Sequence, residues 1–104
     1  MKVFLDDIRE TPEGWIRTFT VKETVILLKT REVSHISLDS DLGEDQPGGY
    51  KVLDAIEEMV YDDETFPLPE ITVHSSNAAR VEYMQRAIQS IHRIRQQQLE
   101  VGNE

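Results

Sequence analysis

The chain has 104 residues, no Cys and a formal net charge of −9. That length allows one small domain with a modest core, and the lack of Cys excludes a disulfide framework and a thiolate zinc site and fits a reducing compartment. The acidic balance argues against duplex nucleic acid or anionic lipid as a partner.

The first apolar run, Val3 to Leu5, is far too short for a secretory signal core, and nothing approaches the ~20 apolar residues of a membrane span. The expectation is a soluble, cytoplasmic protein. Residues 2–5 read as a short buried strand that ends abruptly in Asp6 and Asp7. A loop with Pro12 and Gly14 follows, and residues 17–20 suit a second short strand. Thr20 and Glu23 have capping-box spacing, so a helix is expected over 21–31, with Val21, Val25 and Leu28 on one face.

Residues 36–38 form the next strand, which must end near Asp39 because Asp39, Asp41, Glu44 and Asp45 cannot share a core. A loop from Gly43 to Gly49 leads into a helix over 49–61, carried by Val52, Leu53, Ile56 and Val60. Pro67 and Pro69 end that helical pattern. Residues 71–74 form another strand, and Ser75, Ser76 and Asn77 are good caps for a helix over 77–93 that buries Val81, Met84, Ile88 and Ile91. The expected division is a domain over 1–95 and a polar, fraying tail over 96–104. Strands alternating with helices indicate an α/β fold, a three-layer parallel sheet of three to four strands.

Polar groups just past the ends of parallel strands lie where open α/β sheets bind ligands. Here those groups are Asp6, Asp7, Asp39, Asp41, His74 and Ser75. Four convergent carboxylates repel unless a cation sits among them, and such oxygen ligands suit Mg²⁺, Mn²⁺ or Ca²⁺, with Mg²⁺ or Mn²⁺ the expected ion. His74 has the ordinary pKa for proton transfer near neutrality. Ser75 and the N–H groups of the helix start form an anion cradle, in which Ser75 is better placed as a phosphate ligand than as a nucleophile. Arg9 either forks onto a phosphate or neutralises Asp6. Arg80, in the first helical turn, opposes the helix dipole and so is expected to face an anion or Asp39. Lys51 is the one lysine near the acidic loop. His35 and His92 read as structural.

The element order and strand-end residues resemble the response-regulator receiver fold. In that fold an acidic pair follows the first strand, a phosphate-accepting Asp ends the third and a hydroxyl ends the fourth. The corresponding residues look like Asp6 and Asp7, either Asp39 or Asp41, and Ser75. A receiver continues to a further strand bearing a phosphate-pairing Lys, whereas here no Lys follows Lys51.

A closer resemblance is to small receiver-like domains that process cyclic phosphates. It rests on Asp6-Asp7-Ile8-Arg9 with Trp15, on Ser37-Leu38-Asp39-Ser40-Asp41-Leu42-Gly43, and on His74-Ser75-Ser76-Asn77. Ser40 stands where members often carry His. The resemblance implies a truncated, flavodoxin-like sheet and a small phosphorylated or cyclic-phosphate ligand. It further implies a metal-dependent phosphoesterase in which Asp6, Asp7, Asp39 and Asp41 hold the ion and His74, Ser75 and Asp39 do the chemistry. Arg9 and Asn77 would then position the phosphate. The alternative it leaves open is a non-catalytic module that binds a metal or phosphorylated ligand, or accepts phosphate on Asp39 or Asp41.

Overall fold

The computed structural model describes residues 1–42 and 48–102, so the expected turn at Gly43 and Pro47 and the acids Glu44 and Asp45 lie outside the described residues. Among the described residues seven elements follow one another: β1 (Lys2–Leu5), β2 (Ile16–Thr18), α1 (Val21–Leu28), β3 (His35–Asp39), α2 (Tyr50–Asp62), β4 (Glu70–His74) and α3 (Ala78–Gly102). The four strands are parallel, in the order β2-β1-β3-β4. The parallel sheet expected from the strand and helix periodicities, and the receiver-like order implied by the resemblance, are thus what the chain forms.

Register sorts the strand residues onto two faces. Val3, Ile36 and Ile71 lie side by side, as do Leu5, Leu38 and Val73. These join Leu28 of α1, Val52, Leu53, Ile56 and Val60 of α2, and Met84, Ile88 and Ile91 of α3 in one core. All three helices therefore cover the same face. The expected third layer is absent among the described residues. Residues 6–15 form a loop in place of a helix between the first two strands, and α3 packs on the same face as α1 and α2. The opposite face carries Phe4 beside Ser37 and Thr72, and Asp39 beside His74. Trp15 covers part of it, with its ring 6.3 Å from Phe4 and 6.4 Å from His35.

The ends of α1 follow local chemistry. Thr20 accepts the Glu23 N–H at 3.2 Å, as its spacing predicts. The helix stops at Leu28, short of residue 31, because Arg31 turns left-handed (φ 66°). That conformation costs a side-chain-bearing residue roughly 1–2 kcal/mol. The Arg31 guanidinium, bonded to Asp63 (2.8 Å) and the Thr65 carbonyl (2.8 Å), fixes it there. The second strand starts at Ile16, one residue before the expected start, and ends at Thr18, whose hydroxyl pairs with Thr24 (2.7 Å) beneath α1.

The last helix departs furthest from the sequence reading. It continues to Gly102 through residues expected to fray. Three groups hold the extension: Ile94 packs on the core, Arg95 donates to the Phe66 carbonyl (2.7 Å), and Gln98 donates to the Val60 carbonyl (2.8 Å). Periodicity of apolar residues misses this, because the anchors are polar side chains satisfying carbonyls at the end of α2 and in the following loop. No helix among the described residues is long and apolar enough to cross a membrane.

Candidate active site

Three strand ends meet at one edge of the sheet. Asp6 follows β1, Asp39 closes β3 and His74 closes β4. One ligand atom from each lies within 4.8 Å of the other two. Parallel pairing is the cause, since it sets Asp39 directly beside His74 and carries β1 into register on the other side of β3. The ambiguity between Asp39 and Asp41 thereby resolves: Asp39 is the strand-terminal carboxylate, and Asp41 is exposed beyond it.

Each member is oriented by a different device. Asp6 is fully buried, and its Oδ1 accepts the backbone N–H groups of Ile8 (2.7 Å) and Arg9 (2.8 Å). Its Oδ2 accepts from His74 Nε2 at 2.9 Å. The His74 ring stacks on Phe4 with centroids 4.2 Å apart and planes 4° apart. Its Nδ1 lies 2.7 Å from Ser37 Oγ. With Nε2–H donating to Asp6, the neutral ring receives the Ser37 hydroxyl proton at Nδ1. A serine hydroxyl can equally accept from Nδ1–H, so Ser37 supports both the neutral ring and the imidazolium.

The carboxylates are driven apart electrostatically. Burial pushes the Asp6 carboxyl up, but the Ile8 and Arg9 N–H groups and the His74 ring outweigh it and hold Asp6 below its ordinary pKa. Asp39 is raised, first by its burial and then by the negative charge of Asp6. One charged and one reluctant carboxylate beside an imidazole is an arrangement suited to holding a cation or moving a proton.

Around this trio lies an open cleft of about 410 Å³ lined by Asp6, Asp7, Arg9, Asp39, Asp41 and Ser75, among others. Asp7 and Asp41 thus border the site without joining the three-residue cluster. Arg9 Nε stands 4.0 Å from Asp6 Oδ2 with its side chain half exposed, facing both the carboxylate and the cleft. Ser75 bonds Ser40 Oγ at 2.6 Å and accepts the Asn77 N–H at 3.1 Å. Asn77 Oδ1 accepts the Arg80 N–H at 3.1 Å and so caps α3.

Other expectations distribute as follows. Arg80 reaches the Ser40 carbonyl (3.4 Å) rather than the Asp39 carboxylate. Lys51 lies over the Tyr50 ring, 5.4 Å from its centroid. His35 pairs with Glu70 at the far end of the sheet (3.1 Å), and His92 is exposed on α3. Two residues that orient His74, Ser37 and Phe4, escape a search for reactive groups at strand ends. The signal for Ser37 was its place two residues before Asp39, which puts both on one face of a strand. A serine interrupting an apolar strand at that position is a buried polar group in need of a partner.

Comparison with protein families matches residues 1–90 to the cyclic-phosphate processing receiver domain. The chain belongs to this family. Searches of the curated proteins and of the solved structures give no match. This member of the cyclic-phosphate processing receiver family has its parallel sheet in a receiver-like order. Its three sequence motifs fall on the three strand ends that build the cleft.

Proposed function

We propose that the protein is a divalent-metal-assisted phosphoesterase that opens a cyclic phosphate. The observation carrying this reading is the convergence of Asp6, Asp39 and His74, each offering one ligand atom within 4.8 Å of the others. Membership of a cyclic-phosphate processing family favours this substrate class, and the residues lining the cleft favour this chemistry.

The donor set fits a small divalent cation. Asp6 Oδ2 and the Asp39 carboxylate are the natural ligands, with Asp7 and Asp41 bordering the same cleft. Oxygen ligands of this kind suit Mg²⁺ or Mn²⁺, and the imidazole is left to the proton. A bound ion supplies Lewis-acid polarisation and charge neutralisation at the phosphoryl group. Arg9 contributes a guanidinium at the cleft wall, suited to a phosphoryl oxygen. Ser75 and the N–H groups opening α3 receive a second oxygen. His74, held flat on Phe4 and anchored at Nδ1 by Ser37, carries the proton at Nε2 to the leaving oxygen or from the attacking water.

The test is a panel of 2′,3′- and 3′,5′-cyclic nucleotides assayed with Mn²⁺ and with Mg²⁺. Turnover should appear with at least one of them. His74→Gln should lower kcat by a factor of about 10²–10⁴, the usual contribution of a positioned proton-transfer group. Absence of turnover throughout the panel overturns the hydrolase reading and leaves a binding module. A kcat indifferent to His74→Gln removes the proton from that residue.

A further inference from the structure

A second cavity of about 390 Å³ adjoins the first and shares Ser40 and Asp41 with it. Its walls are Tyr50, Arg80, Tyr83 and Met84, with Gly48 beside them. The two tyrosines come from different elements: Tyr50 opens α2, while Tyr83 follows Arg80 by one turn on α3. Tyr83 is 62 % exposed and Tyr50 36 %, whereas Met84 is buried.

This lining has no part in holding a metal or moving a proton. It offers aromatic faces, a polarisable thioether and a guanidinium, next to the carboxylate of Asp41. Those groups together recognise a planar heteroaromatic ring whose edge carries both donors and acceptors. Arg80 is tethered by the Ser40 carbonyl at 3.4 Å, which sets its guanidinium near the boundary of the two cavities. Lys51 already lies over the Tyr50 ring, so Tyr83 is the freer stacking surface. Each cavity falls within the range of about 300–1,000 Å³ seen for small-ligand sites. The net charge of −9 disfavours a long polyanion passing through them.

We infer that the Tyr50–Arg80–Tyr83 cavity is a nucleobase subsite, which makes the substrate a mononucleoside cyclic phosphate with its phosphate over the Asp6–Asp39–His74 cluster. This inference rests on the phosphoesterase reading for the position of the phosphate, and it adds the base. It also explains why a cleft so polar lies against exposed aromatic rings.

The experiment compares adenosine 2′,3′-cyclic phosphate with ethylene phosphate, which has the same five-membered phosphate ring and no base. The wild-type protein should prefer the nucleotide in kcat/KM. Tyr83→Ala should shrink that preference by about 5- to 100-fold, the loss expected for one stacked base, and Tyr83→Phe should restore it. A preference unchanged in both Tyr83→Ala and Tyr50→Ala overturns the subsite while leaving the hydrolase intact. If neither compound is turned over, calorimetric titration with adenosine 2′-monophosphate separates the two ideas. A Kd weakened by Tyr83→Ala then supports the subsite although the hydrolase reading falls, and a Kd insensitive to both tyrosine variants overturns the subsite as well.

Discussion

Replacing Asp39 with Asn should make the metal-free protein more stable at pH 7. Asp39 and Asp6 present oxygens within 4.8 Å of each other. At that distance two full charges repel by about 3.5 kcal/mol at an effective dielectric of about 20. The His74 ring and the water reaching half-buried Asp39 reduce the effect, so a net gain of about 1 kcal/mol is expected. For a domain of this size that is a rise in Tm of about 4–8 °C. The Asn oxygen can still accept the Asp41 N–H that Asp39 accepts at 3.3 Å.

The pH dependence follows from the raised pKa of Asp39. Below its unfolded value near 3.8 the carboxyl is neutral in both states and costs the fold nothing. As pH rises through the folded-state pKa the penalty of ionisation develops in full. The advantage of Asn should therefore be missing in acid and complete at neutrality. Thermal unfolding followed by circular dichroism in EDTA, from pH 3 to pH 8, reads this directly. The same variant should lose most of the Tm increase that Mn²⁺ gives the wild-type protein. A Tm at pH 7 lower than wild type in EDTA would refute the claim that the two carboxylates are in conflict.

Three further outcomes are expected. Gly49→Ala should destabilise by about 1–3 kcal/mol in urea titrations, because an added Cβ runs into the Asp39 carbonyl, which the Gly49 N–H already bonds at 3.0 Å. Asp63 is held down to about 2 by the Thr65 hydroxyl and the Arg31 guanidinium. Its support is thus present above pH 3.8 and disappears between pH 3.8 and 2, and Asp63→Asn should flatten acid unfolding in that window alone. Gln98→Ala should cost about 1 kcal/mol by removing the donor to the Val60 carbonyl, and hydrogen exchange should quicken in the last turns of α3.

Much of this architecture is legible from residues alone. The apolar runs before Asp6, Asp39 and His74 end at or within one residue of the strand ends, because a carboxylate or a ring nitrogen needs polar partners that an apolar core does not offer. The cap at Thr20 and the helix over Val52 to Val60 are equally plain. What periodicity does not carry is pairing at a distance. Nothing local says that Gln98 will satisfy Val60, that Arg31 will turn left-handed to reach Asp63, or that Ser37 and Phe4 will seat His74. Nor does the alternation of strands and helices tell how many faces the helices cover. That depends on the loop from Asp7 to Trp15 declining to become a helix, and its Pro12 and Gly14 are the physical reason.

The one-sided placement of the helices divides labour along each strand. Val3, Leu5, Ile36, Leu38 and Val73 point to the helices, while Phe4, Ser37, Asp39 and His74 alternate with them on the open face. Exposed positions of the open face can then vary in search of a new substrate without repacking the core. A slip of one residue in register would exchange the two sets and lose both at once. The sheet is thus permissive towards substitution and intolerant of insertion. A lineage built on it should diversify by point changes on one face and by growth in the loops.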